Sequence, residues 1–358
     1  MDTIILTRDD IAEMVNRVGL HQLMDAIINE LRETFLKFDN NLTQVRTRDG
    51  FSYFTPYPGV LEWMPVMQVD DFVVIKVVSY NPGNPLLYQV PTIISTLSLY
   101  NIRTGHLMAL TDGTFATALR TGAASAIASE VLANPASEVV GLVGCGAQAV
   151  TQLHALSRLF DIKRVLAYDT DSDVLASFPE RCRFLGLNIE PASRRELEEQ
   201  SDIICTATSV GLDAGPVIDG VNLKPWVHIN AVGSDLPRKI ELPLRLLHES
   251  LVCPDYRSQA VVEGECQQLA PDAIGPELID LVKHASDYRP YQLSKTVFDS
   301  TGFALEDKAA IQVLLAVAKE IGVGRTLPVE SIAVDPMDPY SFAREHISSD
   351  LVRTATAV

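Results

Sequence analysis

The sequence is short of positive charge, of paired cysteines and of long apolar runs, and each shortage excludes a class of function. Twenty-nine lysines and arginines stand against 46 aspartates and glutamates, a net charge of −17. Such a surface repels nucleic acid and anionic membrane, so neither is expected as a partner. No apolar run reaches the roughly 18 residues that a membrane-spanning helix needs. The N-terminus, Met1-Asp-Thr-Ile-Ile-Leu-Thr-Arg-Asp-Asp10, carries acids where a signal peptide carries positive charge. The five cysteines, at 145, 182, 205, 253 and 266, form no C-x-x-C pair and leave one over. Reduced thiols in a cytoplasmic protein fit this better than a disulfide framework. The seven histidines are scattered without zinc-ligand spacing, so no metal is expected. P-loop, Ser-His-Asp and internal-repeat patterns are absent as well.

What is present is the composition of a soluble globular protein, 47% hydrophobic and 21% charged over 358 residues, enough for two domains with their own cores. The most informative segment is Ser137-Glu-Val-Val-Gly-Leu-Val-Gly-Cys-Gly-Ala-Gln-Ala149. It is a short apolar strand that ends in Gly144-x-Gly146-x-x-Ala149 and runs on into a helical pattern. Gly144 permits the tight turn, Gly146 lets the backbone approach a pyrophosphate, and Ala149 lets helix and strand pack closely. The helix N-terminus then favours the anion through its dipole and free N–H groups. A second apolar strand, Lys163-Arg-Val-Leu-Ala-Tyr-Asp169, ends in an acid close to the spacing of about 20 residues expected for a carboxylate on the adenosine ribose. That acid repels a 2′-phosphate, no Arg immediately follows it, and Lys163 and Arg164 fall at the far end of the strand. The expected cofactor is NAD(H) rather than NADP(H).

Helices are expected over residues 7–38, opened by the capping-box pattern Thr7-Arg-Asp-Asp10, and over Thr114–Leu132 and Leu305–Glu320. Gln44 to Tyr57 reads as a loop or hairpin. Four β-like runs follow, Leu61–Met67, Phe72–Ser79, Thr92–Asn101 and His106–Thr111, divided by Pro/Gly turn signals. From Val139 the pattern alternates strand and helix through Val165–Tyr168, Ile203–Thr206, Val227–Val232 and Leu251–Cys253, as a parallel sheet requires. The expected fold is α/β, with a parallel-sheet domain of roughly 120–310 inserted into a mixed domain built from both termini. The tail after Asp335 carries no pattern.

Asp235 follows the β-like run His228-Ile-Asn-Ala-Val-Gly-Ser and lies just beyond a strand's carboxyl end, where ligands bind in such sheets. Catalysis and a cap for the next segment are balanced readings of it. Arg120 sits among Ala, Thr, Ser and Gly, so it needs an anion, either a substrate carboxylate or an internal acid. Lys76 interrupts Val73-Val-Ile-Lys-Val-Val78, and the pattern alone favours an outward, solvated lysine on an antiparallel sheet. Glu62 and Met64 lie in the run Val60-Leu-Glu-Trp-Met-Pro65, where an acid beside Trp meets either a substrate ammonium or water. Arg46 and Arg48 lie in a polar loop, where most arginines are merely solvated.

Taken together these stretches resemble the ornithine cyclodeaminase and mu-crystallin family. The resemblance runs through Glu62-Trp-Met-Pro65, Lys76 with Asn81-Pro-Gly-Asn84, Thr117-Ala-Leu-Arg-Thr-Gly-Ala-Ala-Ser125, Thr206-Ala-Thr-Ser209 and Phe298-Asp-Ser-Thr-Gly-Phe-Ala-Leu-Glu-Asp307. Gly144–Leu156 and Gly264-Glu-Cys-Gln-Gln268 look most like the lysine cyclodeaminases. The resemblance implies a Rossmann-type NAD-binding domain at 120–320, inserted into an α+β substrate-binding and dimerisation domain at 1–119 plus 321–358, and a homodimer. It matches Arg48, Lys76 and Arg120 to positions that hold a substrate α-carboxylate, and Glu62, with Met64, to positions near the amino groups. Asp235 matches the catalytic acid/base, with Glu62 and Lys76 beside the chemistry. Cofactor contacts are implied at Thr121, Gly144, Gly146, Ala147, Gln148, Asp169, Thr206, Ala207, Ser209, Val232, Gly233 and Ser300. Ser234 stands where several relatives carry Gly, and Leu236 where ornithine-specific members often carry Cys.

The implied activity is cyclodeamination of a small basic amino acid, first L-lysine to L-pipecolate plus ammonia, second ornithine to proline. Bound NAD+ would take the α-hydride, the side-chain amine would attack the imine within the same pocket, and the NADH so formed would reduce the cyclic imine. The alternatives are an NAD(P)-dependent amino-acid dehydrogenase or cyclic-imine reductase, and a non-catalytic mu-crystallin-like binding protein.

Overall fold

The computed structural model describes residues 1–54 and 58–346, the last two by backbone alone. The end of the stretch expected to run to Tyr57, and the tail from residue 347, lie outside the described residues. Along the chain, β1 (Thr3–Leu6) leads into α1 (Arg8–Val18) and α2 (Leu20–Leu36). The helix begins where the sequence signals it: the Asp10 carboxylate accepts from the Thr7 N–H at 2.7 Å and the Thr7 hydroxyl oxygen accepts from the Asp10 N–H. Gly19, in the left-handed region at φ +92°, separates the two helices. The i, i+4 face of α2 buries Leu23, Met24, Ile27, Leu31 and Phe35.

Six strands follow: β2 (Thr43–Val45), β3 (Asp49–Tyr53), β4 (Gly59–Gln68), β5 (Phe72–Tyr80), β6 (Ile93–Asn101) and β7 (Leu107–Asp112). A short helix, α3 (Asn84–Tyr88), joins β5 to β6. In β4 and β5 alternate residues share a face, so Glu62, Met64 and Val66 lie opposite Val78, Lys76 and Val74 on the inner side. The polar stretch before β4 is a pair of short strands: β2 and β3 both pair antiparallel with it.

Next comes α4 (Thr114–Leu132), which is buried on almost every side. Its small residues have a packing reason: a Cβ at Gly122 would run into the backbone carbonyl of Thr151 on the neighbouring helix. The second sheet comprises β8 (Val139–Val143), β9 (Arg164–Tyr168), β10 (Ile189–Pro191), β11 (Ile203–Thr206), β12 (His228–Ala231), β13 (Leu251–Pro254) and β14 (Thr296–Asp299). Every pair in it is parallel. The connections carry α5 (Ala147–Leu159), α6 (Ser172–Arg181), α7 (Arg194–Gln200), α8 (Leu244–His248), α9 (Arg257–Ala260), α10 (Leu278–Lys283) and α11 (Ala285–Tyr288). Then α12 (Ala304–Ile321) and β15 (Arg325–Leu327) return to the first sheet.

The first sheet has the order β15-β1-β7-β6-β5-β4-β2, with β3 also on β4; the second has the order β10-β9-β8-β11-β12-β14-β13. In the second sheet the winding direction reverses beside β8, the place where a doubly wound sheet opens a crevice for a dinucleotide. The fold is thus α/β as expected. The sequence did not announce β1, β10 or β14, and β14 threads between β12 and β13. Thr-Val-Phe-Asp is only four residues long, too short for a periodicity to stand out, although all four are buried. Helices α4 and α12 pack on α2, and α4 packs also on α5, so the two sheets share helices rather than a linker. Among the described residues no helix is long and apolar enough to cross a membrane.

Candidate active site

The carboxyl ends of the parallel strands assemble the first half of the site. Gly144 leaves β8 at φ +87°, and a Cβ there would meet the Ala207 carbonyl oxygen at 2.7 Å. Gly146 is the N-cap of α5 and has no side chain to close the helix end; a Cβ on it would meet nothing within 4 Å. That open space beside unpaired N–H groups is what a pyrophosphate needs, so the cradle fits a dinucleotide. Ala147 and Gln148 open α5, and the Gln148 side-chain oxygen accepts from the Thr151 hydroxyl at 3.1 Å. Asp169 follows β9, and its carboxylate accepts from the backbone N–H groups of Cys145 at 2.7 Å and Asp171 at 2.9 Å. It thus ties the glycine turn to the end of the neighbouring strand.

The other expected cofactor positions lie along the same edge. Thr206 ends β11 and Ala207 follows it, Val232 and Gly233 follow β12, and Ser300 follows β14. Ser209 is exposed on the loop beyond, and Thr121 lies within α4 with its hydroxyl donating to the Thr117 carbonyl. Glu241 fastens several of these together: it accepts from the Thr206 hydroxyl at 2.7 Å, the Thr208 N–H at 2.7 Å and the Gly233 N–H at 2.8 Å. Ser300 is 2% exposed and its hydroxyl has no hydrogen-bond partner.

Beneath this edge lies a buried cluster of three cations and several acids. Lys76 is 1% exposed, not solvated as its strand pattern suggested, because β5 turns it inward against α12. Its ammonium donates to Asp307 Oδ1 at 2.9 Å. The same oxygen accepts from Arg120 Nε at 3.2 Å, and Arg120 Nη1 reaches Glu306 Oε2 at 2.6 Å. The internal-acid reading of Arg120 is therefore the one seen, with Glu306 and Asp307 supplied by the first turn of α12. Burial, with the neighbouring Arg120 charge, pushes the Lys76 ammonium down to about 8. Burial pushes the Glu306 carboxyl up to about 8 against the pull of Arg120.

Arg48 is held as firmly, contrary to the solvated reading of its loop. Its guanidinium lies 3.3 Å from Glu62 Oε2 and 3.1 Å from Glu263 Oε1, and it donates to the carbonyls of Thr301 and Gly302. The Glu263 contact is an ion pair by distance without hydrogen-bond alignment, since Glu263 Oε1 and Arg48 Nε have no such partner. Burial carries the Glu263 carboxyl up to about 8, with Arg48 opposing and Glu62, Asp235 and Asp255 assisting. Arg46, by contrast, is exposed. Met64 is 2% exposed in the apolar core opposite Lys76. Asp235 makes no helix cap: its Oδ1 accepts from Lys239 Nζ at 2.8 Å, and that ammonium lies 4.9 Å from the centre of the Tyr80 ring.

A cavity of about 360 Å³ is lined by Arg48, Glu62, Leu236, Pro237, Gln259 and Glu263; Lys76, Arg120 and Asp235 are not part of its lining. The structure gathers Arg48, Glu62, Lys76, Arg120 and Asp235 from five separate stretches. Among the described residues no group of three His, Cys, Asp or Glu side chains has metal-ligand geometry. Sequence reasoning missed Glu263, Asp255, Lys239, Glu306 and Asp307 as site groups. Asp255 had a usable signal, an acid just past a strand's carboxyl end like Asp235. The Glu306-Asp307 pair carried no comparable signal, since acids are common in the first turn of a helix.

The family profile described as "Ornithine cyclodeaminase/mu-crystallin family" matches residues 8–320. The chain is 39% identical over 342 residues to the L-lysine cyclodeaminase of Streptomyces rapamycinicus, a match covering 95% of this chain and 100% of that protein. A solved lysine cyclodeaminase, studied for its recognition of L-lysine, L-ornithine and L-2,4-diaminobutyric acid, superposes with a TM-score of 0.93 at 43% identity, covering 96% of this chain and 100% of that one. An archaeal alanine dehydrogenase dimer with bound NAD superposes with a TM-score of 0.82 at 30% identity, covering 92% of this chain and 100% of that one.

Proposed function

Because the chain belongs to the ornithine cyclodeaminase/mu-crystallin family, we propose that it is an NAD-dependent cyclodeaminase that converts L-lysine to L-pipecolate and ammonia, with ornithine to proline as its second reaction. The observation that carries this reading is the convergence of Arg48, Lys76 and Arg120 with Glu62 and Asp235 below a dinucleotide cradle. NAD+ held at Gly144–Gln148 and Asp169 would supply a hydride acceptor for the substrate's α-carbon and a hydride donor for the cyclised imine, with no net oxidant consumed.

The residues divide the remaining work. Gly144, Gly146, Ala147 and Gln148 would hold the pyrophosphate and Asp169 the adenosine ribose, with Thr206, Ala207, Val232, Gly233 and Ser300 along the same edge for the rest of the cofactor. Arg48, Lys76 and Arg120 hold the substrate carboxylate, which exchanges for part of the internal acid contact they now make. Glu62 faces the substrate's amino groups, and Met64 supports the strand that presents Lys76. Asp235 accepts and returns protons at the substrate nitrogens, with Lys239 keeping its carboxylate oriented. Holding both ends of one flexible molecule makes the ring closure intramolecular.

The protein is expected to work as a homodimer in the cytoplasm. Its five cysteines are all free and buried, which suits a reducing compartment. The outer face of the first sheet presents Phe51, Leu61, Val77 and Ile94 to solvent, on paired strands and on the side opposite Lys76. An apolar patch of that kind fits pairing with a second copy.

The test is turnover of lysine and ornithine in competition, with far less NAD+ than substrate, read by mass spectrometry. Many cyclic products per NAD+, with ammonia lost, support cyclodeamination, and the product ratio names the preferred substrate. Product capped at the amount of NAD+ points to an amino-acid dehydrogenase instead. Asp235→Asn should abolish turnover while leaving NAD+ binding within about twofold; an active variant removes Asp235 from the proton chemistry.

A further inference from the structure

The stretch 236–242, which follows Asp235, is not held by a strand ladder. Its backbone takes bonds from Asp213 and Val217 on one side, and side chains of the 3-10 turn Glu265–Gln268 hold it on the other. Glu265 accepts from the N–H groups of Glu241 at 2.7 Å and Leu242 at 3.2 Å, and Gln268 donates to the Leu242 carbonyl at 3.2 Å. The turn is itself pinned by Asp299, whose carboxylate accepts from the N–H groups of Glu265 and Cys266 at 2.8 Å each.

Within this clamp Glu265 and Gln268 reach the far end of the stretch, at Glu241 and Leu242, whereas Gln267 reaches Arg238 and Lys239, nearer to Asp235. Its Oε1 accepts from the Arg238 N–H at 2.7 Å, while its Nε2 donates to the Lys239 carbonyl at 3.0 Å and the Gly264 carbonyl at 2.7 Å, with a longer contact to the Leu236 carbonyl at 3.5 Å. Both amide hydrogens and the acceptor are thereby used, so the side chain has one orientation only. One end of this bridge is the loop that carries Asp235 and the cavity-lining Leu236 and Pro237; the other is the backbone next to Glu263, with Val262 also on the cavity wall. Gln267 is absent from the cavity lining yet ties two of its walls together.

We propose that Gln267 is a positioning residue that sets the gap between the Asp235 and Glu263 loops, and through it the length of diamino acid the site prefers. The inference rests on the cyclodeaminase reading above. Glu62 and Glu263 both pair with Arg48, at 3.3 and 3.1 Å, and these three line one cavity with Leu236, the residue after Asp235. Lysine and ornithine share the carboxylate and the α-amine and differ by a single methylene. A pocket separates such a pair by about 10- to 200-fold, and that separation depends on wall spacing. Releasing the bridge lets the walls relax independently of the cations that hold the carboxylate.

The test uses the full chain with Gln267→Met, which removes every one of these hydrogen bonds, and Gln267→Glu, which keeps the shape but turns an acceptor toward the carbonyls. Two ratios are measured. One is kcat/KM for lysine over ornithine; the other is the dissociation constant of L-pipecolate over that of L-proline with NADH present. The expected result is a change of about fivefold or more in both ratios, with the NADH dissociation constant within about twofold of the parent. Gln268→Met, which removes a bond from the same turn to Leu242 at the far end of the stretch and leaves Arg238 and Lys239 held, should leave both ratios unchanged. Equal losses on both substrates, or ratios that stay within about twofold, overturn the proposal. If Gln267→Met does not fold, Gln267→Glu decides alone. If the parent chain cyclises neither amino acid, the reaction is misread, and the binding ratio still decides the role of Gln267.

Discussion

Replacing Asp307 by Asn tests the electrostatics of the buried cluster most directly. Asn keeps the shape and removes the charge. One oxygen of Asp307 serves both Lys76 at 2.9 Å and Arg120 at 3.2 Å, and all three residues are almost fully buried. Arg120 keeps Glu306 as a partner, whereas Lys76 has no other salt bridge within 4 Å among the described residues. Breaking a buried pair from one side costs about 3–5 kcal/mol. The cost has an escape, however, because Lys76 can lose its proton. Its ammonium is already pushed down to about 8 by burial, and losing Asp307 pushes it lower.

Between the variant's new value and about 8, the folded parent holds this proton and the folded variant does not, while both unfolded chains hold it. The variant's stability therefore rises with pH relative to the parent, by about 1.4 kcal/mol per pH unit. Glu306 adds in the same direction. Its carboxyl stands near 8 in the parent, and removing a neighbouring negative charge lets it ionise at lower pH. Urea unfolding of parent and variant should thus show a penalty of about 4 kcal/mol near pH 6 that shrinks steadily toward pH 8. A penalty that does not change over that range, or one below about 1 kcal/mol throughout, would refute the account of the cluster.

The two glycines of the cradle should separate cleanly. Gly146→Ala meets no atom within 4 Å, so its melting temperature should hardly move while NADH binding weakens about tenfold or more in a fluorescence titration. Gly144→Ala combines φ +87° with a carbonyl at 2.7 Å, and should lose about 2 kcal/mol or more of stability even without cofactor. Burial holds the imidazole of His154 down to about 4 and that of His228 down to about 3, from an ordinary 6.5. The unfolded chain binds more protons below 6.5, so stability should fall from there toward about 4; His154→Phe should flatten that fall by close to one proton in urea midpoints. Ile94→Lys, on the exposed face of the first sheet, should convert a dimer to monomer in light scattering; an unchanged mass would exclude that face as the interface.

The sequence by itself determined the elements whose signals are local. The capping box at Thr7 and Asp10, the small-residue helix α4, the meander β4 to β7 and the Gly144–Ala149 turn are all set by residues within a few positions of one another. The strand-turn-helix with an acid at the next strand end was legible for the same reason, since each part constrains its neighbour along the chain. Residue types at Asp235 and Arg120 also marked positions that needed an explanation, a loop acid at a strand end and a charge among alanines.

Which partners those residues have was decided by tertiary structure alone. Lys76 reads as solvated because alternation along β5 does not say which face is covered; α12, more than 200 residues later, covers it and brings Asp307. Arg48 lies in a polar stretch and is solvated on composition, yet the loops after β13 and β14 close over it with Glu263 and the carbonyls of Thr301 and Gly302. Strand β14 itself is four residues whose place between β12 and β13 is set by pairing on both sides. Burial and ion pairing depend on what arrives from distant segments, and a single chain read in order carries no record of which segments meet.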